Sequence, residues 1–395
     1  MPTAAELPID TSASADAMAE AMFGNGVEIL SASYTGDDTA SGIYSNGDSV
    51  APAITPSDSG VILSTGKAED VTNSSGDVNT ANNRSTNHGE DGDADLQAIA
   101  GVNTYDAAVF EAEFVPDGST LTMQFVFSSE EYLEYVNAGF NDAVGVWVNG
   151  VKAEMVIGDG DISIDNINDE SNENLYIDNP RDEDNFNTEM DGFTMTLTLK
   201  APVNPGETNT IKIGIADGGD GIYDSNLLIA GDSIQTALVA GDDVVEILGD
   251  TIEDVDVLGN DTSFNGSSLT ITHINGQPVS AGDTVTLPTG EEVTLNADGT
   301  FDIFNETDED ETNTFSYTVA DEDGNTDTGF VKVTTTPCFV AGTLIETPDG
   351  PMAVEDLEPG MLVQTRDHGP QPLRWAGRSR RRAEGRHAPV VFAAG

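Results

Sequence analysis

Cysteine is almost absent from this chain, because Cys338 is the only one among 395 residues. A single thiol cannot form a disulfide within its own chain, so Cys338 is either an inert core residue or a nucleophile. Basic residues are also scarce, with 14 lysines and arginines against 71 acids and a formal net charge of −57. A surface of this charge repels DNA and anionic membranes, which argues against nucleic acid as a partner.

The chain also lacks a long hydrophobic run. No stretch approaches the roughly 20 apolar residues that cross a bilayer. Residues 1–30 contain no lysine or arginine and no long apolar run, so we expect no N-terminal signal peptide and no membrane span. Hydrophobic residues still make up 37% of the chain, which is enough for two folded domains and an appendage.

The negative charge is concentrated before residue 338. Residues 338–395 contain seven arginines and seven acids, so this segment is neutral and the whole excess lies in the preceding part of the chain. Such self-repulsion is tolerable at high salt, which screens the charges, or when divalent cations are bound. This distribution favours seawater-like or calcium-rich surroundings.

Alternation of apolar and polar residues dominates the chain and predicts an all-β fold. Phe110, Ala112 and Phe114 form one such run, and a Pro-Asp-Gly turn joins it to a second run over residues 121–127. A composition break near residues 240–243 is followed by short strands with Asn-Gly and Asp-Gly turns, which suit hairpins. We predict an antiparallel β-sandwich over 1–236, an immunoglobulin- or cadherin-like β-sandwich over 241–336, and a β-rich segment over 337–395.

Acidic residues in two predicted loops form a candidate calcium site. Calcium takes six to eight oxygen ligands from carboxylates, amides and carbonyls at irregular spacings. If the two loops meet at one end of the sandwich, the candidate ligands are Glu130, Glu131, Asp142, Asp217, Asp220 and Asp224. The alternative is that these residues are solvated hairpin turns. Neighbours on a strand point to opposite faces, so Glu130 and Glu131 cannot jointly flank one glycosidic bond.

Two long segments resemble known families. The residues GDADLQAIAG, DGFTMTLTL and IADGGDGIYDSNLLI are similar to the bacterial choice-of-anchor L domain, which occurs on secreted proteins with varied C-terminal sorting or processing modules. The residues DVLGNDTSFNGSSLTI and TFSYTVADEDGNTDTGFVKVT resemble the cadherin-like repeats of large bacterial surface proteins. The second resemblance implies a spacer or adhesive module.

The segment that begins CFVAGTLIETPDG resembles the start of a Hint domain, the self-processing module of inteins and hedgehog proteins. The resemblance implies that Cys338 is the nucleophile and that the bond between Pro337 and Cys338 is cleaved. Such chemistry needs a thiolate and donors for the oxyanion. The resemblance covers only the last 58 residues, the front portion of the module, so we expect a truncated module that does not cleave itself.

These observations together predict a secreted bacterial surface or matrix protein, exported without an N-terminal signal by a route such as type I secretion. Calcium is the expected cofactor, and an extracellular polysaccharide or cell-surface ligand is the expected partner. At most, an intact Hint domain would cleave its own chain at Cys338, and no catalysis on an external substrate is expected. The alternative is a calcium-dependent hydrolase acting on polysaccharide, although no Ser/His/Asp constellation supports it.

Overall fold

The computed structural model describes residues 2–81, 83–153, 162–181, 183, 185–307, 310–336, 339, 341–366 and 368–376. The chain forms two compact units, Met1–Thr336 and Pro337–Gly395. The predicted all-β class is confirmed, since strands in several sheets dominate and the described helices are short. In the part of the chain described here, no helix is long and apolar enough to cross a membrane.

The N-terminal sandwich contains three short helices, α1 (Ala15–Met22), α2 (Gly47–Val50) and α3 (Ala94–Ala100). Its strands are β1 (Ile9–Asp10), β2 (Val27–Thr35), β3 (Ser41–Tyr44), β4 (Gly60–Ser64), β5 (Thr104–Pro116), β6 (Thr120–Ser129), β7 (Ala143–Val148), β8 (Val151–Lys152), β9 (Tyr176–Asp178), β10 (Gly192–Thr194), β11 (Leu197–Pro202), β12 (Asn209–Gly218) and β13 (Ser225–Ala230). Every strand pair within this sandwich is antiparallel, as predicted.

Two sheets face each other across the main core. The first has eight strands in the order β1-β3-β4-β13-β6-β10-β9, with β11 also paired to β6, and the second has the order β2-β5-β12-β7-β8. Because side chains alternate between faces along a strand, Phe127 of β6 and Ile213 of β12 both enter the core between the sheets. Val126 of β6 and Leu228 of β13 instead pack into a second core on the outer face of the eight-stranded sheet.

The second module is a smaller sandwich. Its strands, with the linking strand first, are β14 (Leu238–Val239), β15 (Asp243–Leu248), β16 (Thr251–Val255), β17 (Thr262–Ser263), β18 (Thr270–Ile274), β19 (Gln277–Pro278), β20 (Thr284–Thr286), β21 (Glu292–Leu295), β22 (Phe301–Phe304), β23 (Glu311–Ala320) and β24 (Thr326–Thr336). One sheet has the order β15-β24-β23-β18-β19 and the other β16-β22-β21-β20. Phe301, Phe315 and Tyr317 lie in the core between them.

The two sandwiches are in direct contact within the first compact unit. Phe330 of β24 is 3% exposed and packs into the core of the N-terminal sandwich. The Lys200 ammonium of β11 lies 2.5 Å from Asp242 Oδ1, just before β15, and 5.7 Å from the Phe330 ring centroid. Thr289 donates its hydroxyl to Asn174 Oδ1 across the same junction. The second module is therefore docked on the first.

The C-terminal unit contains two short hairpins among its described residues. Strands β25 (Leu344–Ile345) and β26 (Met352–Ala353) pair with each other, as do β27 (Leu362–Thr365) and β28 (Gly369–Pro372). The Thr-Pro-Asp-Gly turn is closed by the Gly350 amide, which donates to the Thr347 carbonyl at 3.1 Å. Cys338, the predicted nucleophile, and Pro337 lie outside the described residues.

Candidate metal centre

The acids predicted to bind calcium all lie at one end of the N-terminal sandwich. Four of them immediately follow or precede a strand: Glu130 and Glu131 follow β6, Asp142 precedes β7, and Asp224 precedes β13. Asp217 is the penultimate residue of β12, and Asp220 lies in the loop that joins β12 to β13. Antiparallel pairing of β6 with β13 and of β12 with β7 places these ends together.

Five of the six carboxylates are almost completely buried. The exposed fraction is 1% for Glu130, 2% for Glu131, 1% for Asp142, 1% for Asp217 and 3% for Asp224, while Asp220 is half-buried. Solvated hairpin turns would leave such side chains in water. The alternative interpretation of these five residues as solvated turns is therefore wrong.

Glu130 and Glu131 lie in the turn after β6 and have different charged neighbours. The Glu130 amide donates to the Asp224 carbonyl at 3.2 Å, which extends the pairing of β6 with β13 by one residue and places Glu130 on the outer face with Val126. After burial, the charges of Asp191, Glu189 and Asp224 raise the pKa of Glu130, and those of Asp142, Asp220 and Asp165 raise the pKa of Glu131. We call Glu131, Asp142 and Asp217 the inner set, and the acids around Glu130 the outer set.

The inner set consists of Glu131, Asp142 and Asp217, and four of its six carboxylate oxygens are buried without a hydrogen-bond partner. Asp142 Oδ1 accepts a hydrogen bond from the Gly218 amide at 2.9 Å, but Asp142 Oδ2 has no partner. Both carboxylate oxygens of Asp217 and Oε2 of Glu131 are buried without a partner as well. A buried polar atom in this condition normally costs about 1–3 kcal/mol and requires an explanation.

Burial without a counter-charge raises the pKa of each inner carboxyl. Burial and the neighbouring Asp142 raise the pKa of Glu131 to about 10. Burial raises the pKa of Asp142 to about 7, with Asp224 and Asp220 adding to the effect, and nearby Ser225 opposing it. Burial and Asp142 raise the pKa of Asp217 well above its usual range. In a low dielectric, like charges this close disfavour ionisation unless a cation joins them.

The outer set contains an acid that the sequence analysis missed. Gly192 of β10 pairs with Ser129 of β6, so Asp191 lies beside Glu130. Asp191 Oδ1 accepts a hydrogen bond from the Asn79 amide at 3.0 Å, and Asp224 Oδ1 accepts one from the Thr86 amide at 2.8 Å. Burial is the main cause that raises the pKa of Glu130 to about 10, of Asp191 to about 7 and of Asp224 to about 6. No motif could reveal Asp191, because only strand pairing places it next to Glu130.

Among the residues that the structure describes, the cations near the two sets do not pair with the predicted ligands. Arg84 lies nearby, but its guanidinium is 2.7 Å from Glu189 Oε1, which also accepts hydrogen bonds from Asn73 and Thr80. No described lysine or arginine forms an ion pair with any of the six predicted ligands. Among the described residues, no three His, Cys, Asp or Glu side chains are already arranged to hold a metal ion. The carboxylates are gathered, but cation binding would require them to turn toward a common point.

The loops that carry these acids are held together by aromatic contacts. The Tyr135 and Tyr223 rings have centroids 4.9 Å apart, and the Tyr135 hydroxyl is 3.1 Å from the Tyr223 hydroxyl. The Phe140 ring lies edge-on to Tyr135 at 5.8 Å. These contacts join the loop over residues 130–142 to the loop over residues 219–224. The donor atoms are all oxygens, which suits a hard cation such as calcium.

A separate open groove of about 630 Å³ crosses the outer face of the five-stranded sheet. Trp147 lies in it, with the Lys212 ammonium 5.0 Å from the ring centroid and held by Asp93 and Asp95. Ser31, Ser33, Glu111 and Glu113 project into the same groove. The mixture of an indole ring, hydroxyls and carboxylates can contact sugar rings and hydroxyls.

Comparison with family models divides the chain into three segments. The model of the choice-of-anchor L domain matches residues 8–235, that of a bacterial Ig domain matches residues 235–334, and that of the Hint domain matches residues 337–395. All three resemblances stated from the sequence are confirmed. No curated protein matches the chain.

Among solved structures, the chain matches the structure of the M60 catalytic domain with the CBM51-1 and CBM51-2 domains from Clostridium perfringens ZmpB. The match has 11% sequence identity and a TM-score of 0.16, and it covers 87% of this chain and 33% of that one. The present chain thus spans about a third of the length of that structure. A similarity at this level carries no argument about fold or function.

Proposed function

Because this chain belongs to the choice-of-anchor L domain family, we propose that it is an exported bacterial surface or matrix protein whose N-terminal sandwich is a calcium-dependent binding module. The proposal is carried by one observation, the buried carboxylates without partners at the end of the sandwich. A calcium ion would replace the missing counter-charge and ligate the free oxygens of Glu131, Asp142 and Asp217, with Asp220 and Asp224 within reach of the same charges.

Calcium dependence fits a protein that works outside the cell. Extracellular calcium modules bind with dissociation constants of about 10⁻⁴ to 10⁻³ M, so such a module is empty at cytosolic calcium levels and occupied after export. The net charge of −57 agrees with this assignment, because divalent cations and salt reduce self-repulsion. We further infer that the ligand is an extracellular polysaccharide or cell-surface glycan, and that the groove beside Trp147 contacts it.

The test is the thermal unfolding of the full chain in calcium and in EDTA. At a calcium concentration a hundredfold above the dissociation constant, the folded state gains about 2.7 kcal/mol. For the 336-residue compact unit, in which both sandwiches should unfold together, the melting temperature should rise by roughly 4 °C. The double variant Asp142→Asn, Asp217→Asn should lose most of this rise, whereas Asp38→Asn, at an exposed position, should keep it. Identical melting curves in calcium and in EDTA would remove calcium from the proposal.

Polysaccharide binding and hydrolysis are separated by one further assay. Pull-down of the full chain with insoluble polysaccharides should show binding that weakens in EDTA and in a Trp147→Ala variant, with no soluble sugar released. Release of sugar that is lost on substitution of Glu130 or Asp142 would favour the hydrolase alternative instead.

We also infer that the Hint segment corresponds to a self-processing module. In such a module, the Cys338 thiolate would attack the Pro337 carbonyl and break the amide bond between the two residues. This step frees the cysteine amine and forms a thioester that a second nucleophile resolves. The attacked carbonyl belongs to Pro337, whose ring restricts the rotation that would bring this carbonyl to the thiolate. This 395-residue chain should therefore stay intact during incubation with a thiol, as should its Cys338→Ala variant. Fragments that meet at position 338 in the unsubstituted chain alone would contradict this expectation.

A further inference from the structure

Three acids lie side by side on the outer face of the eight-stranded sheet. Ser225 of β13 pairs with Ser129 of β6, and Gly192 of β10 pairs with the same serine from the other side. The residue next to each of these positions is an acid, so Asp224, Glu130 and Asp191 follow one another across three neighbouring strands. Neighbouring strands are about 4.8 Å apart. The exposed fractions of these acids are 3%, 1% and 5%.

The next row of the same face supplies neutral oxygens. Ser128 of β6 pairs with Asn226 of β13, and both point to the face that carries Glu130. The Ser128 hydroxyl and the Asn226 side-chain carbonyl are buried without hydrogen-bond partners, as are both oxygens of Glu130 and Oδ2 of Asp224. All four residues are at least nine-tenths buried. Oxygens that lack partners in a fully buried site indicate a bound species that would accept their lone pairs.

The positive charges near this row of acids do not neutralise it. Arg84 lies closest, but its guanidinium is paired with Glu189, an additional acid in the same pocket. The positive charge of His88 interacts favourably with Asp224, and that of Arg181 with Asp191. Further acids add negative charge around these two residues: Asp70, Asp106, Glu134 and Asp178. The acids therefore outnumber the nearby cations. The sheet itself separates this row from Glu131, Asp142 and Asp217 on the inner side.

We propose that this end of the sandwich binds two calcium ions, one on each face of the sheet. The outer ion is held by Glu130, Asp191 and Asp224, with Asn226 and Ser128 as neutral ligands. The inner ion is the calcium ion of the proposed function, which Glu131, Asp142 and Asp217 would bind. The inner ion rests on that proposed function, and the outer ion does not.

The number of ions decides the proposal. Equilibrium binding of radioactive calcium to the full chain, at a salt concentration that screens the exposed acids, should give two tight sites per chain. The variant Glu130→Gln, Asp191→Asn should retain one site, and Asp142→Asn, Asp217→Asn should also retain one. The variant Glu20→Gln, Glu28→Gln, which neutralises two exposed acids on α1 and β2, should retain both.

Each outcome has a separate meaning. One tight site in the unsubstituted chain, lost with the inner variant and kept with the outer variant, overturns the second ion and leaves the proposed function standing. No tight site at all overturns both. The measurement on the unsubstituted chain does not depend on the folding of any variant. Melting in EDTA shows whether each variant folds, and the loss of both sites in a folded outer variant would overturn the separation of the two ions.

Discussion

Asp217 illustrates how one residue changes meaning between sequence and structure. In the sequence it stands in a Gly- and Asp-rich loop that equally suggests a solvated turn. In the structure its side chain is 1% exposed, and neither oxygen has a partner. The residue types of the candidate site could thus be predicted, because calcium requires clustered oxygens. The burial of these carboxylates could not be predicted from the sequence, because it depends on loops from both sheets.

The buried carboxyls predict an unusual pH dependence when calcium is absent. Their pKa values are raised to about 6 for Asp224, about 7 for Asp142 and Asp191, and about 10 for Glu130 and Glu131, chiefly by burial. The unfolded values are near 4. The folded chain therefore holds more protons than the unfolded chain above pH 4, and stability is lost as the pH rises through the folded pKa values.

In EDTA, the melting temperature should fall between pH 5 and pH 8, and the variant Glu131→Gln, Asp142→Asn should show a shallower fall. In calcium, the same range should bring increasing stabilisation, because protons compete with the ion for the carboxylates. Circular dichroism melts at matched ionic strength measure both effects. A melting temperature in EDTA that is constant or rises over this range contradicts the account.

At the scale of secondary-structure elements, alternation of apolar residues located the strands well. Phe110–Phe114 and residues 121–127 fall inside β5 and β6. The alternating run over 193–199 is divided between β10 and β11, both of which pair with β6. The division occurs at Met195, whose amide donates to the Leu175 carbonyl outside the sheet. A period of two cannot reveal such a departure, because it depends on a partner in another loop.

Pairing of the elements could not be predicted from the same pattern. Strand β15 pairs in parallel with β24, and the paired residues Asp243 and Val331 are 88 positions apart in the chain. The local Asn-Gly and Asp-Gly turns instead predict antiparallel hairpins. The same limitation concealed the outer row of acids, since Asp191 and Glu130 are neighbours only through the pairing of β10 with β6. Elements and faces follow from local sequence, but neighbours in a sheet follow from the global topology.

At the scale of the whole molecule, the junction between the two sandwiches determines whether the second module is a flexible spacer. Lys200 supplies a positive charge to an acidic group in which Asp242 is its direct partner and Asp261 and Asp327 are nearby. Burial raises the pKa of both Asp261 and Asp327 to about 6, and Lys200 opposes that rise. Phe330 fills a place in the N-terminal core beside the same lysine. This arrangement stabilises the contact between the two modules within one compact unit.

Calorimetry of the full chain should consequently show the two sandwiches unfolding in one transition. Lys200→Met keeps the aliphatic stem but removes the charge, leaving Asp242 and its neighbours unpaired, and removal of one partner of a buried pair costs about 3 kcal/mol or more. This variant and Phe330→Ala should separate the transition into two, with the second module melting first because its own core is smaller. Lys332→Met, on β24 where the side chain is exposed, is the matched control and should retain a single transition. Two separate transitions in the unsubstituted chain would instead show that the modules are independent and that the junction does not couple them.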